Sequence, residues 1–213
     1  MKNLIFFSLI IASLSACKKQ DLEQLPVSNK INFENLAVGQ KSQYVRWTSK
    51  NPWSESDTAY QPTTDTVSLT IIGFDDNGFK VAETEKGSIK TNYYFKVQND
   101  SLSIYAYEKI NFGGSILVKG SQKFPLKDVN LPKRTLNRWA VPKNRDFEES
   151  FGKTNAFSVA GKEYSDAFIY YNTLLTAFDA PGLVRIYTPK DGFISIQSAG
   201  GLLPLGTIYN LIP

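Results

Sequence analysis

Residues 93–106 read YYFKVQNDSLSIYA, and this stretch decides the fold. Apolar and polar residues alternate on both sides of Asn99-Asp100, and a period of two is typical of β-strands. A two-residue turn at this dipeptide predicts a β-hairpin, because a slip of one residue would scatter both faces. The predicted opposite pairs are Val97 with Leu102, Phe95 with Ile104 and Tyr93 with Ala106 on one face, and Tyr94 with Tyr105 and Lys96 with Ser103 on the other.

The same period recurs along the chain. Val67, Leu69 and Ile71 alternate with polar residues before a turn at Asp75–Gly78, and the chain returns through Phe79. For the hairpin at 182–198, a four-residue loop and matched apolar faces give registers that differ by one position. Further strands are predicted at 41–48, 114–119, 164–172, 182–188, 192–198 and 206–212. The sequence therefore predicts a mainly β chain, whose antiparallel sheet forms a sandwich, a half-barrel or a small barrel with little helix.

Composition excludes several kinds of chemistry. The chain has 213 residues, no histidine and one cysteine. Without histidine there is no Ser-His-Asp or Cys-His catalysis and no His-ligated metal site. One cysteine excludes an intrachain disulfide and a multi-cysteine zinc or iron–sulfur site. The formal net charge of +4 gives no basis for a nucleic-acid partner, and no motif predicts a cofactor.

The N-terminus has the pattern of a targeting segment. Met1-Lys2-Asn3 is short and basic, and residues 4–14 (LIFFSLIIASL) are apolar but too few to span a membrane. Small residues then precede the only cysteine, in Leu14-Ser15-Ala16-Cys17. This tetrapeptide resembles the lipobox of bacterial lipoprotein precursors.

The resemblance implies a diacylglycerol thioether on Cys17, cleavage before it and acylation of the new α-amino group. Acyl chains anchor a protein to a membrane without spanning it. Lys18 follows the cysteine, whereas an aspartate there would resemble the inner-membrane retention signal, so we expect the outer membrane. Whether the protein faces the periplasm or is displayed outside, as in Bacteroidota-type envelope lipoproteins, is left open.

The predicted organisation has three parts. Residues 1–16 are a signal peptide, residues 17–30 are the lipidated cysteine and a flexible tether, and residues 31–213 are a single β-rich domain. Fully extended, the tether spans roughly 40 Å, at about 3.3 Å per residue. No internal repeat or interdomain linker divides the rest.

Cationic and aromatic residues are the candidate binding groups. The segment 133–145 is basic and contains Trp139, so it suits anionic lipid headgroups or an acidic glycan. Tyr94 and Tyr105 suit stacking on sugar rings, although outward tyrosines also simply cover a sheet. Trp47 and Trp53 are further aromatic candidates. The predicted binding residues are Lys133, Arg134, Arg138, Trp139, Tyr94 and Tyr105.

Catalytic candidates are weaker. Asp75 and Asp76 are explained by the turn that contains them, and Asp146 with Glu148 and Glu149 fits a charge-balanced surface segment. Ser150 and Lys153 match a Ser-x-x-Lys pattern, but the two motifs that accompany it in penicillin-interacting enzymes are missing. No catalytic residue is therefore predicted.

Three functions follow, in order of preference. The first is a non-enzymatic lipoprotein of the outer membrane with a binding or structural role, its partners being the membrane and a glycan, a lipid or an envelope protein. The second is a carrier of lipid or another hydrophobic ligand in a half-barrel, for which the apolar segment 200–205 (GGLLPL) would suit a mobile loop. The third is a carboxylate-based hydrolase.

Overall fold

The described part of the chain consists of β-strands and their turns. The computed structural model describes residues 30–49, 60–106, 120–127, 131, 149–173, 182–199 and 207–213. No helix in these ranges is long and apolar enough to cross a membrane. The strands are β1 (Lys41–Ser49), β2 (Tyr60–Asp75), β3 (Gly78–Glu85), β4 (Ser88–Gln98), β5 (Ser101–Ala106), β6 (Gly120–Pro125), β7 (Glu149–Val159), β8 (Lys162–Thr173), β9 (Gly182–Thr188), β10 (Gly192–Ala199) and β11 (Thr207–Leu211).

All eleven strands belong to one antiparallel sheet, in the order β6-β5-β4-β3-β2-β1-β11-β10-β9-β8-β7. Strands that follow one another in sequence are neighbours in the sheet, except β6 and β7, and β1 also pairs with β11, for example Tyr44 with Leu211. The first and last strands therefore meet in the middle, and β6 and β7 are the two edges. The sheet curls into a half-barrel, which confirms the predicted β class and selects one of its three forms.

The hairpin at 93–106 has the predicted register. Five pairs run from Gln98 opposite Ser101 to Tyr94 opposite Tyr105. Asn99 and Asp100 both have positive φ, 49° and 56°, as a type I′ turn requires. Asparagine and aspartate tolerate this conformation better than most residues, because their short side chains hydrogen-bond locally.

The β9–β10 hairpin, whose register the sequence left open, does not keep a single register along its length. Next to the turn Thr188 pairs with Gly192, but further along Ile186 pairs with Ser195. The register shifts between Phe193 and Ser195, so one residue is extra on β10. A bulge of this kind changes the register by one position, which is the difference between the two predictions.

Two strands were not predicted from the sequence. β6 (Gly120–Pro125) follows the predicted strand at 114–119, which itself lies outside the described residues. β7 contains Gly152, Lys153 and Asn155, residues with little preference for strands. Glu149, expected in a surface segment, begins this strand.

The inner face of the half-barrel is filled with side chains. Phe33, which precedes β1, inserts among rings of the sheet, with centroid distances of 5.1 Å to Phe193 and 5.7 Å to Phe95. Phe168 stacks on Tyr187 at 5.3 Å. Such ring contacts add to ordinary apolar burial. Buried members of this core come from the segment before β1 and from β1–β6 and β8–β11.

A second core lies on the other face of β8–β10. Phe157, Val159 and Tyr164, from the turn half of the β7–β8 hairpin, pack with Val184, Ile186 and Ile194. Asp166 has a φ of 53°, while the β7–β8 register is the same on both sides of it.

The two ends of the half-barrel differ. One end, here called the tether end, contains residues 30–40 and the turns β2–β3 (75–78), β4–β5 (98–101) and β9–β10 (188–192). At this end Ile31 donates its backbone N–H to Ser42 Oγ at 3.0 Å, and Phe33 donates to the carbonyl oxygen of Pro189 at 2.8 Å. The opposite end contains the β3–β4 turn at 85–88. The N-terminal segment is thus fixed to one end.

Candidate functional site

Two of the predicted binding residues lie together on the outer face of the sheet. Tyr94 on β4 is directly opposite Tyr105 on β5. Opposite residues of an antiparallel pair share a face, and the adjacent pair Phe95–Ile104 faces the core. The other predicted residues lie outside the described ranges: Cys17, Lys133, Arg134, Arg138 and Trp139.

The two tyrosines differ in exposure. Tyr94 is 9% exposed and donates its hydroxyl to Asp75 Oδ2 at 3.1 Å, whereas Tyr105 is 37% exposed. Asp75 also accepts the backbone N–H of Asn77 at 2.8 Å, within the β2–β3 turn. Tyr105 therefore presents the accessible ring for stacking, whereas the ring of Tyr94 is buried at this surface.

Lysines flank this tyrosine pair in a regular grid. Lys80 on β3 is opposite Tyr94, and Lys96 on β4 is opposite Ser103, which is opposite Lys123 on β6. Neighbouring strands are about 4.8 Å apart, so Lys96 and Lys123 stand about 10 Å apart across β5. The residues form two rows across the strands, Lys80–Tyr94–Tyr105 and Lys96–Ser103–Lys123. Within the described strands these rows contain three cations and no carboxylate, and Asp75 lies at their edge. We call this surface the Tyr–Lys face: Lys80, Tyr94, Lys96, Ser103, Tyr105 and Lys123.

No protein-family model, curated protein sequence or solved structure matches the chain significantly.

The acidic and Ser-x-x-Lys candidates lie in a turn, on a strand and outside the described residues. Asp75 and Asp76 lie in the β2–β3 turn. Positions 150 and 153 are three apart on strand β7, with regular pairing to β8 from Glu149 to Thr154. Positions three apart on a strand lie on opposite faces, so the helical-turn spacing of a Ser–Lys pair is missing. Asp146 and Glu148 lie outside the described residues.

A buried polar cluster inside the half-barrel was missed by the sequence. Arg185 on β9 is 2% exposed, and its Nη1 donates to Gln122 Oε1 on β6 at 2.7 Å. Gln122 Nε2 in turn donates to the hydroxyl of Tyr170 on β8. The guanidinium carbon lies 5.4 Å from the ring centroid of Phe124. In the sequence, Arg185 alternates with Val184 and Ile186 and so has the pattern of a solvent-facing position.

Glu83 on β3 faces the same interior. It is 3% exposed, and its Oε2 has no hydrogen-bond partner among the described residues. Burial raises the pKa of this carboxyl to about 8, assisted by the nearby charge of Glu85 and opposed by Arg185. Burial also lowers the pKa of Arg185 to about 10. At pH 7 the guanidinium of Arg185 is therefore charged, whereas the carboxyl of Glu83 is largely protonated and neutral.

This cluster joins parts of the sheet that share no backbone hydrogen bonds. β6 is an edge strand, yet Gln122 contacts β8 and β9, and Pro125 accepts the hydroxyl of Tyr187 at 2.8 Å through its carbonyl oxygen. Gln122 is hydrogen-bonded to both Arg185 and Tyr170, whereas Glu83 Oε2 has no hydrogen-bond partner among the described residues. We therefore interpret the cluster as structural, closing the open side of the half-barrel.

A groove lies on the outer surface beside Trp47. It has a volume of about 430 Å³ and is also lined by the end of β7 and the turn that follows, residues 156–161. Trp47 packs against the small cluster of Tyr60 and Ile208. The groove is large enough for a small molecule. The second tryptophan considered for stacking, Trp53, lies outside the described residues.

Proposed function

We propose that the protein is a lipid-anchored envelope protein of the outer membrane that acts by binding and not by catalysis. The lipobox at residues 14–17 supports the anchor, and the half-barrel is compatible with a binding role. The carboxylates Asp75 and Asp76 lie in the β2–β3 turn, and their role in that turn is enough to explain them.

The Tyr–Lys face is the proposed binding surface. Tyr105 presents an accessible ring beside Lys96 and Lys123, which are both exposed. Aromatic faces stack on the apolar faces of sugar rings, and lysines spaced about 10 Å apart match a chain with repeated negative charges. The partner class that fits both features is an acidic glycan.

Polygalacturonate is a suitable probe, with dextran as the uncharged comparison, in affinity electrophoresis of the purified protein. We expect retardation by polygalacturonate that falls at least about tenfold in the variant Lys96→Glu/Lys123→Glu, because each contact with a repeated charge is reversed in sign. The matched control is Lys41→Glu/Lys190→Glu, which changes the charge equally at two other exposed lysines. Equal loss in both variants would show non-specific attraction, and no retardation of the wild-type protein would reject the glycan.

The anchor has a separate test. Cells producing the wild-type chain are expected to incorporate labelled palmitate into it, and the Cys17→Ala variant is expected to incorporate none. Cys17 is the only cysteine, so no other thiol can accept the diacylglycerol. Equal labelling of the two proteins, or a soluble wild-type protein after cell fractionation, would reject the anchor.

The groove favours a second candidate, a carrier of a small hydrophobic ligand. The inner face is packed with rings such as Phe33 and Phe193, so we place the ligand in the groove beside Trp47. Native mass spectrometry of freshly purified protein would detect a co-purified lipid. A lipid lost in the Trp47→Ala variant supports this candidate, and repeated absence of lipid from folded protein counts against it.

A further inference from the structure

Several exposed large apolar side chains lie at the tether end. The exposed large apolar residues of the described ranges are Val38, Ile72, Phe74, Ile89, Val97, Tyr105 and Ile212, of which Ile89 lies beside the turn at the opposite end. Phe74 is the most exposed of them, at 68%, and it directly precedes the β2–β3 turn. Water-exposed apolar groups that cluster usually mark a contact surface.

Four of these residues lie on neighbouring turns and strand ends of the tether end. The turn that contains Val38 is held to β2, because Gly39 donates its backbone N–H to the carbonyl oxygen of Ile71 at 2.8 Å, next to Ile72. Phe74 contacts Phe79, with 4.8 Å between ring centroids. We call Val38, Ile72, Phe74 and Val97 the apolar rim.

Val97 completes the rim from the neighbouring hairpin. Phe79 is opposite Phe95 on β4, so Val97 lies one residue pair nearer the same end. A methyl group added to Gly78 would lie 2.6 Å from the carbonyl oxygen of Phe95, which shows how closely the β2–β3 turn approaches β4. The two hairpin turns therefore present their apolar residues side by side.

The N-terminal chain reaches the half-barrel at this same end. Lys30, the first described residue, lies near Lys162 and Asp191, whose charges act on its pKa. Residues 18–30 connect it to Cys17, a length of roughly 40 Å at most, at about 3.3 Å per residue. An anchor on Cys17 therefore keeps the tether end nearer to the membrane than the opposite end.

We infer that the apolar rim rests on the lipid surface, with Phe74 inserted into the interfacial region of the bilayer. This inference depends on the lipid anchor proposed above for its orientation. The tether supplies a high local concentration of the domain at the membrane, so a small apolar rim suffices to hold it there. The opposite end, and with it the β3–β4 turn, then points away from the bilayer.

A fluorescent probe of depth tests this orientation. Single variants Phe74→Cys and Ile89→Cys each introduce one free thiol, because the thiol of a lipidated Cys17 is consumed in its thioether. Ile89 is the matched control, an exposed apolar residue (62%) beside the turn at the opposite end. The lipidated proteins are labelled with bimane and reconstituted in vesicles of phosphatidylethanolamine and phosphatidylcholine, with and without brominated acyl chains.

We expect brominated lipid to quench the label at 74 at least about twofold and to leave the label at 89 unchanged, since quenching requires contact with the acyl region. Labels that are both unquenched on a vesicle-bound protein would overturn the inference while leaving the anchor intact. Quenching at 89 instead of 74 would also overturn it.

A reactive Cys17 thiol in the wild-type protein would mean that the anchor itself fails. In that case co-sedimentation of the protein with the same vesicles tests independently whether the apolar rim contacts lipid. Binding that is weakened in Phe74→Ser supports the rim, and absence of binding rejects it.

Discussion

Arg185 and Gln122 are hydrogen-bonded across the open side of the half-barrel, with 2.7 Å between Nη1 and Oε1. They belong to β9 and β6, which are not neighbours in the sheet. A closed barrel would join its edges by backbone hydrogen bonds, whereas this protein brings β6 against β8 and β9 with side chains. The closure combines ring contacts of Phe124, whose centroid lies 5.0 Å from that of Tyr170, with a few polar contacts that single substitutions can remove.

The first prediction concerns this closure. Gln122→Met removes an acceptor of the buried guanidinium and should lower the free energy of unfolding by about 1–3 kcal/mol, the cost of an unmet buried hydrogen bond. The double variant Gln122→Met/Arg185→Met removes both partners and should recover much of that loss, because a buried ionic group is often replaceable by an apolar one. Urea unfolding of the wild type, the single variants Gln122→Met and Arg185→Met, and the double variant gives the coupling energy. Strictly additive costs would contradict the closure.

The second prediction is a dependence of stability on pH that originates in Glu83. Its pKa is raised to about 8 in the folded protein, from an ordinary value of 4.5. The folded state therefore binds the proton more tightly, so the stabilisation is complete below about pH 4.5 and is lost as the pH rises to 8. The total loss is up to about 5 kcal/mol, since one pKa unit is worth about 1.4 kcal/mol.

Urea unfolding between pH 5 and pH 8.5 measures this loss. The chain contains no histidine, so no imidazole titrates in the same window. Glu83→Gln should be more stable than the wild type at pH 8 and should show a flatter profile, whereas the exposed control Glu34→Gln should keep the wild-type slope. A wild-type slope in Glu83→Gln would disprove the assignment.

The hairpin at 93–106 could be predicted because its information is local. Its alternation and the Asn99-Asp100 turn fix the register without any distant contact. The β9–β10 hairpin could not be settled in the same way, since the extra residue near Ile194 changes the register part-way along. The pairing of β1 with β11 joins residues far apart in sequence, so no local pattern indicates it.

The candidate site, like the fold, could be predicted from the sequence only in part. Tyr94 and Tyr105 could be placed on one face from the hairpin register alone. Lys123 joined them only through β6, a strand that the sequence did not reveal. Arg185 and Glu83 were missed because charged residues are rarely buried, and their burial depends on contacts between distant strands. The apolar rim required the relative placement of two hairpin turns.

The third prediction uses two glycines to separate backbone strain from steric clash. Gly192 has a φ of 67°, and a Cβ there would lie 2.7 Å from the carbonyl oxygen of Ile31. Gly87 has a φ of 80° and nothing within 4 Å of an added Cβ. Gly87→Ala should cost about 1 kcal/mol through its backbone conformation alone. Gly192→Ala should cost about 1–3 kcal/mol more, because Ile31 must shift from the β9–β10 turn; equal costs in thermal unfolding would exclude that contact.

The last prediction contrasts two phenylalanines at the tether end. Phe33 is 1% exposed and packs among the rings of Phe95, Tyr187 and Phe193, whereas Phe74 is 68% exposed. Phe33→Ala should lower the free energy of unfolding by about 3–5 kcal/mol, the usual cost of an emptied aromatic site. Phe74→Ala should lower it by less than about 1 kcal/mol.

Measured together with vesicle association, the two variants separate packing from membrane contact. The Phe74 variant is expected to lose rim contact with the bilayer while it keeps its unfolding midpoint in urea. A large loss of stability in Phe74→Ala would show that this ring packs in the core of the domain and is not available for contact with the membrane. An unchanged midpoint in Phe33→Ala would show that the segment before β1 is not fixed to the half-barrel, and the tether would then no longer orient it.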